Sequence, residues 1–188
     1  PPRSTHCISS AASDVYKRQG LGVMGFHSFL QKKRIPLESV MAKSWNKKIF
    51  KQIDEQVNQA SKDLAEERGA CPDAAEYGFK ERFSNKTAIA PTASISIICG
   101  GASPGVEPIA ANSYTHKTLS GSFNVRNRYL EEILESHGKN DDETWSTITT
   151  NQGSVSHLDF LTDLEKDVFK TAFELNQKWI IELSGDRT

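Results

Sequence analysis

Apolar residues recur every three or four positions along two parts of the chain and thin out between them. Leu37, Met41, Trp45, Ile49, Ile53, Val57, Ala60 and Leu64 would line one face of a long helix, or of two helices broken near Ser44. Pro36 suits its start and Gly69 its C′ stop. Ala70 to Asp73 reads as the following turn. Upstream, Gly20 to Phe26 is apolar and glycine-dense, and a tightly packed helix is predicted from there through Leu30. In the last third, Tyr129, Leu130, Ile133 and Leu134 mark an amphipathic helix with Asn127 as N-cap and Gly138 as C′. Asp141 or Asp142 can cap a second helix running toward Asn151, with Gly153 ending it. Thr162-Asp163-Leu164-Glu165 is a capping box. It is expected to open one helix with a buried stripe of Leu164, Val168, Ala172, Phe173, Trp179, Ile180 and Leu183. Between these helical parts, Thr87–Ala90 is short, apolar and bounded by Lys86 and Pro91, so a buried strand is expected there. A second strand is expected from Ala111 to Lys117.

Charge and composition narrow the function classes. The formal net charge is −1, which gives no electrostatic reason to expect nucleic acid or an anionic membrane as partner. No apolar run is long enough to cross a bilayer. The three cysteines, Cys7, Cys71 and Cys99, form no C-x-x-C pair. Such a sparse, odd set suits reduced thiols in a cytoplasmic protein better than a disulfide framework or a structural zinc site. Residues 1–19 differ from the rest in lacking apolar periodicity. The run from Ser9 to Gln19 resembles translated sequencing-adapter read-through, so residues 1–19 are expected to be non-native or disordered, and residues 20–188 to carry the fold.

The stretch from Thr87 to Pro108 carries the candidate chemistry. A short strand ending in Pro91 runs into Thr92, Ala93, Ser94, Ile95 and Ser96 and then an apolar segment, which is how a strand, turn and helix N-terminus are written. The first helical turn leaves amides unpaired, and an anion such as phosphate can accept several of them at once. Ala93 is small enough to let phosphate oxygens approach, and Pro91 fixes the turn. Taken on spacing alone, the favoured reading is that Thr92 or Ser94 simply caps a buried helix. No G-x-x-x-x-G-K is present. Gly20, Gly22 and Gly25 form G-x-G-x-x-G, but no strand precedes them and no βαβ unit follows, so dinucleotide binding is not inferred. His27, His116, His137 and His157 are too dispersed for metal ligation. Cys99 reads as a small buried residue, Cys71 as a passive loop thiol, and Glu107 as a structural hydrogen-bonder.

Ala90-Pro91-Thr92-Ala93-Ser94-Ile95-Ser96-Ile97-Ile98, followed by Gly105-Val106-Glu107-Pro108, resembles the catalytic subunit of ribonucleotide reductases, with its P-T-x-[ST]-I-S run and later G-[IV]-E-P element. Gly20–Phe26, Leu64–Pro72 and Trp179–Thr188 are similar to further segments of that family, in the same order. The resemblance implies an α/β fold, a partial ten-stranded α/β barrel that is mostly helical here, with residues 20–188 supplying a late and incomplete portion. It implies that Pro91, Thr92, Ala93, Ser94 and Ile95 bind the phosphates of a ribonucleoside diphosphate. Ala93 departs from the glycine or glutamate common in relatives, which matters little if backbone amides make the contacts. The family reduces ribonucleotides to 2′-deoxyribonucleotides by radical chemistry. Its thiyl cysteine lies in an N-x-C-x-E setting that none of the three cysteines here has. The resemblance therefore implies no catalytic residue and no bound cofactor or metal in this stretch. The full enzyme would need a radical generator, either a metal-bearing small subunit or adenosylcobalamin, and a dithiol reductant. Implied partners are the remainder of the large subunit, the small subunit and a second copy in a homodimer. A non-catalytic helical interaction module, or another enzyme with a phosphate-binding helix N-terminus, are the rival readings.

Overall fold

The computed structural model describes residues 20–119 and 121–187; the expectation for residues 1–19 lies outside them. Two compact units emerge. One comprises the described residues up to Gly22 together with Lys47–Ala90, and the other Val23–Asn46 together with the described residues from Pro91 onward.

In the first unit, most of helix α2 (Val40–Arg68, which begins in the other unit) is the main element, and it runs without a break at Ser44. Within this unit Ser61 and Ala65 are its most buried positions, and the apolar stripe from Ile49 to Leu64 is largely half-buried. Arg82 is buried against the end of this helix. Its Nη1 donates to the carbonyls of Arg68 and Gly69 at 2.8 and 3.0 Å, so a cation satisfies acceptors that the last helical turn leaves open. The Ser61 hydroxyl accepts from the amides of Arg82 and Phe83. A short helix α3 (Pro72–Glu76) starts with proline in its first turn after buried Cys71. The strand expected at Thr87–Ala90 is reduced to one parallel bridge, Leu21 to Thr87, and Ile89 is 62% exposed. Gly20 and Gly22 are extended beside Ala88, not helical, because the backbones pass so close that a Cβ on Gly20 would lie 2.8 Å from the Ala88 nitrogen.

The second unit opens with helix α1 (Phe26–Lys32), shorter than the helix expected from Gly20 because Gly25 takes φ 82 at its N-cap. Helix α4 (Ala93–Ile98) follows Pro91, and strands β1 (Ser113–Thr118) and β2 (Gly121–Arg126) form an antiparallel hairpin in which Ser113 faces Arg126. The second of these strands has no clean apolar alternation and was not expected. Helices α5 (Arg128–Ser136) and α6 (Asp142–Thr150) begin as expected, with Asn127 and Asp141 accepting from the amides of Tyr129 and Thr144. The capping box opens α7 (Asp163–Val168), but the long helix expected beyond it breaks, and α8 is a separate element (Gln177–Gly185). The break has a visible cause. Thr171 and Glu174 repeat the S/T-x-x-E signature, and the Thr171 amide and hydroxyl both donate to Glu174 Oε2. Asn176 then caps α8. The expected stripe is broken with it: Leu164 and Phe173 are 58% and 85% exposed.

The core of this unit joins Leu130, Ile133 and Leu134 of α5 to Trp145 and Ile148 of α6, to Val155, Leu158 and Leu161, and to Val168 and Phe169. Asn46, at 0% exposure, ties α2 to the last helix: its Nδ2 donates to the Leu183 carbonyl and its Oδ1 accepts from Arg187 Nε at 2.7 Å. The Arg187 guanidinium also lies over the Phe26 ring.

Candidate functional site

Thr92 sets the local geometry. Its backbone is left-handed, φ 50 and ψ 29, a region that a β-branched residue rarely enters. Its side chain does not cap α4, contrary to the simple capping alternative. Instead its Oγ1 accepts from the Gly105 amide at 2.8 Å, joining the proline-led turn to the G-V-E-P segment. The amides of Ala93, Ser94 and Ile95 donate to no acceptor among the described residues, since the first amide closing this helical turn is that of Ser96, on the Thr92 carbonyl. Pro91, Ala93, Ser94 and Ile95 are exposed and Thr92 is half-buried. Ser96 is buried, and its hydroxyl donates to the Ala93 carbonyl.

The G-V-E-P segment is itself held from α1. Ser28 and Ser103 exchange hydrogen bonds: the Ser103 amide donates to Ser28 Oγ at 2.8 Å and the Ser28 amide to Ser103 Oγ at 3.3 Å. The Gly25 amide donates to the Ser103 carbonyl at 2.7 Å. The Ile109 amide donates to His27 Nδ1 at 3.1 Å. His27 is buried, and burial pushes its pKa down to about 4, which keeps Nδ1 unprotonated and able to accept. Glu107, read from sequence as a hydrogen-bonder, is exposed.

A cavity of about 690 Å³ lies beside α4 in this unit, and Ala93 and Ser96 form part of its wall. Of the five residues expected to hold phosphate, Ala93 alone reaches that wall; the other four do not line it. Its remaining lining includes Gln31, Asn112, Asn127 and the guanidinium-bearing Arg126 and Arg128. Arg126 is paired with Asp142 and lies over the Trp145 ring, and Arg128 donates to the Gly100 carbonyl. The three amides form a chain. Asn112 Nδ2 donates to the carbonyls of Gly153 and Phe169, and Asn127 Nδ2 donates to Asn112 Oδ1 and Gln31 Oε1. This orients the amides and leaves Gln31 Nε2 buried with no acceptor among the described residues. Only Asn127 was legible beforehand, as an N-cap; Gln31 and Asn112 carry no periodicity or motif that marks them.

Cys99, the C-cap of α4, is exposed and lines part of the cavity, which corrects its expected burial: the helix stops one residue earlier. Cys71 is buried. Among the described residues no group of three or more His, Cys, Asp or Glu side chains converges as a metal site would require. No helix among the described residues is long and apolar enough to cross a membrane.

Comparison with known proteins is consistent along the chain. The family described as "Ribonucleotide reductase, barrel domain" matches residues 8–81 and 72–188. The ribonucleoside-diphosphate reductase large subunit of Invertebrate iridescent virus 6 is 45% identical over 191 residues, covering 100% of this chain and 20% of the relative. The corresponding protein of Invertebrate iridescent virus 3 is 43% identical, over 100% of this chain and 30% of its own length. Among solved structures, the Actinobacillus ureae class Id ribonucleotide reductase alpha subunit superimposes with a TM-score of 0.82 at 39% identity, over 91% of this chain and 31% of that one. The chain thus spans a fifth to a third of the length of these relatives. With the family match extending over both units, this chain belongs to the ribonucleotide reductase barrel-domain family.

Proposed function

We propose that the chain is a late portion of the catalytic barrel, residues 20–188, of a ribonucleoside-diphosphate reductase large subunit, and that its part in reducing ribonucleotides to 2′-deoxyribonucleotides is to hold the substrate's phosphates. The cradle is Pro91, Thr92, Ala93, Ser94 and Ile95. The observation that carries this reading is the set of three amides, of Ala93, Ser94 and Ile95, that have no acceptor among the described residues and lie at exposed positions behind a left-handed Thr92. Backbone amides and the Thr92 and Ser94 hydroxyls suit an anion without a local lysine, because each N–H to a charged oxygen forms a strong, short hydrogen bond. The lack of a Cβ branch at Ala93 keeps the approach open. Catalysis itself is assigned to parts of the enzyme other than this stretch, together with a radical generator, a metal-bearing small subunit or adenosylcobalamin, and a dithiol reductant.

The test is titration of the 15N-labelled chain with cytidine diphosphate. Amide shifts confined to Thr92–Ile95 and their neighbours are expected, reproduced by pyrophosphate and not by cytidine. Shifts absent from Ala93–Ile95, or equal with cytidine alone, would sink the phosphate reading.

A further inference from the structure

We propose that His27, Ser28 and Ser103 are positioning residues for the proline-led loop, acting through the Gly105 amide on Thr92. The inference rests on the phosphate reading for its purpose, while its geometry stands apart from it. A β-branched residue at φ 50 needs something to hold it there. The side-chain bond that does so is the one from the Gly105 amide to Thr92 Oγ1. Gly105 can serve only if the segment carrying it is fixed. That segment is fixed at both ends, at Ser103 by the reciprocal pair with Ser28 and the Gly25 amide, and at Ile109 by His27 Nδ1. All three side chains are buried, Ser103 at 0% exposure, so these bonds are shielded from competing water. Among the described residues none of the three side chains hydrogen-bonds to the cradle. The side-chain bond that reaches Thr92 from this segment is the one from Gly105, while the Gly101 and Ala102 amides, just before Ser103, donate to the Ser96 carbonyl at 3.0 and 3.1 Å; slack at either end of residues 103–109 reaches the Thr92 side chain through Gly105. His27 must be neutral to accept from Ile109, and its enclosure keeps it so.

Ser103→Ala and Ser28→Ala in the labelled chain test this, each alone and in combination with Thr92→Val. Each serine variant is expected to speed hydrogen exchange at the Gly105 amide and to move the Thr92 HN–Hα coupling away from its left-handed value. Pyrophosphate affinity at Ala93–Ile95 should fall roughly tenfold, the scale of one lost charge-assisted hydrogen bond. In the Thr92→Val background the serine changes should have no further effect on that affinity, since the path they act through is already cut. His27→Asn places an amide oxygen near the Nδ1 position and should retain the Thr92 coupling that His27→Leu loses. If the His27 and serine variants leave Gly105 exchange and the Thr92 coupling at their parent values, or if the serine and Thr92 effects simply add, the proposal is overturned. A parent chain that ignores pyrophosphate yet shows the coupling and exchange changes would remove the phosphate reading and leave the positioning network standing.

Discussion

His27 is a buried imidazole with its pKa pushed down to about 4, against an ordinary value of 6.5. Between those values the unfolded chain binds a proton that the folded chain does not, so stability falls as pH drops from about 6.5 toward 4 and changes little through this group below that. The scale is roughly 3 kcal/mol, from the size of the shift at 1.36 kcal/mol per unit. Denaturant melts at pH 7 and pH 4.5 should show the parent losing more stability than His27→Asn, which cannot take up that proton; equal losses would mean another group controls the acid limb. Thr92→Pro is the sharpest change at the cradle. Proline is locked near φ −65 and has no N–H, whereas Thr92 sits at φ 50, so the turn cannot form as it stands. Loss of cytidine diphosphate binding is expected, read by the same amide titration, with little change at α5 and α6. Undiminished binding would remove the cradle from the substrate site.

Among the elements, the close passage at Gly153 is the most exacting. A Cβ there would collide with the Ala111 side chain and lie 2.7 and 2.9 Å from the Ala111 Cα and the Asn112 nitrogen, at a φ of 80. Gly153→Ala should therefore destabilise the chain by about 1–3 kcal/mol, measured as a shift in the urea midpoint, through overpacking and a disfavoured backbone. A neutral result would mean that the segment at Ala111 and Asn112, just before β1, can retreat freely. Asn127→Ala should cost about 1 kcal/mol for the lost N-cap of α5, and more if the amide chain to Asn112 and Gln31 collapses with it. Capping chemistry was the part of the fold most readable in advance. Asn127, Asp141 and Thr162 each accept from the expected helix, because a cap is a local event written within four residues. The failures are those in which distant partners decide. Leu164 and Phe173 fit a helical stripe by spacing, but the Thr171–Glu174 turn breaks it, and the same S/T-x-x-E spelling opens a helix at Thr162 and a turn at Thr171. The β2 strand was missed because its residues are mostly exposed and show no two-residue alternation.

For the molecule as a whole, the family was legible from the order of several motifs, while the arrangement around Thr92 was not. Its left-handed backbone and its bond to Gly105 connect residues thirteen apart in sequence through no pattern that spacing reveals. Neither was the amide chain under the cavity, which gathers Gln31, Asn112 and Asn127 from three separate segments. None of the three cysteines has the N-x-C-x-E setting, so the purified 188-residue chain should form no deoxynucleotide from cytidine diphosphate with a dithiol and either radical source; any product above the no-protein blank contradicts this. Asn112 is a position where deamidation would be costly. Its side-chain nitrogen faces the carbonyls of Gly153 and Phe169, so hydrolytic deamidation would turn a donor into a carboxylate pressed against two oxygens at a 1% exposed position. The damage from that single-atom exchange, several kcal/mol by the usual scale for an unpaired buried charge, would unfasten the base of the hairpin. Tight enclosure of the amide slows that ageing reaction, and the copies that do undergo it are the ones expected to unfold first.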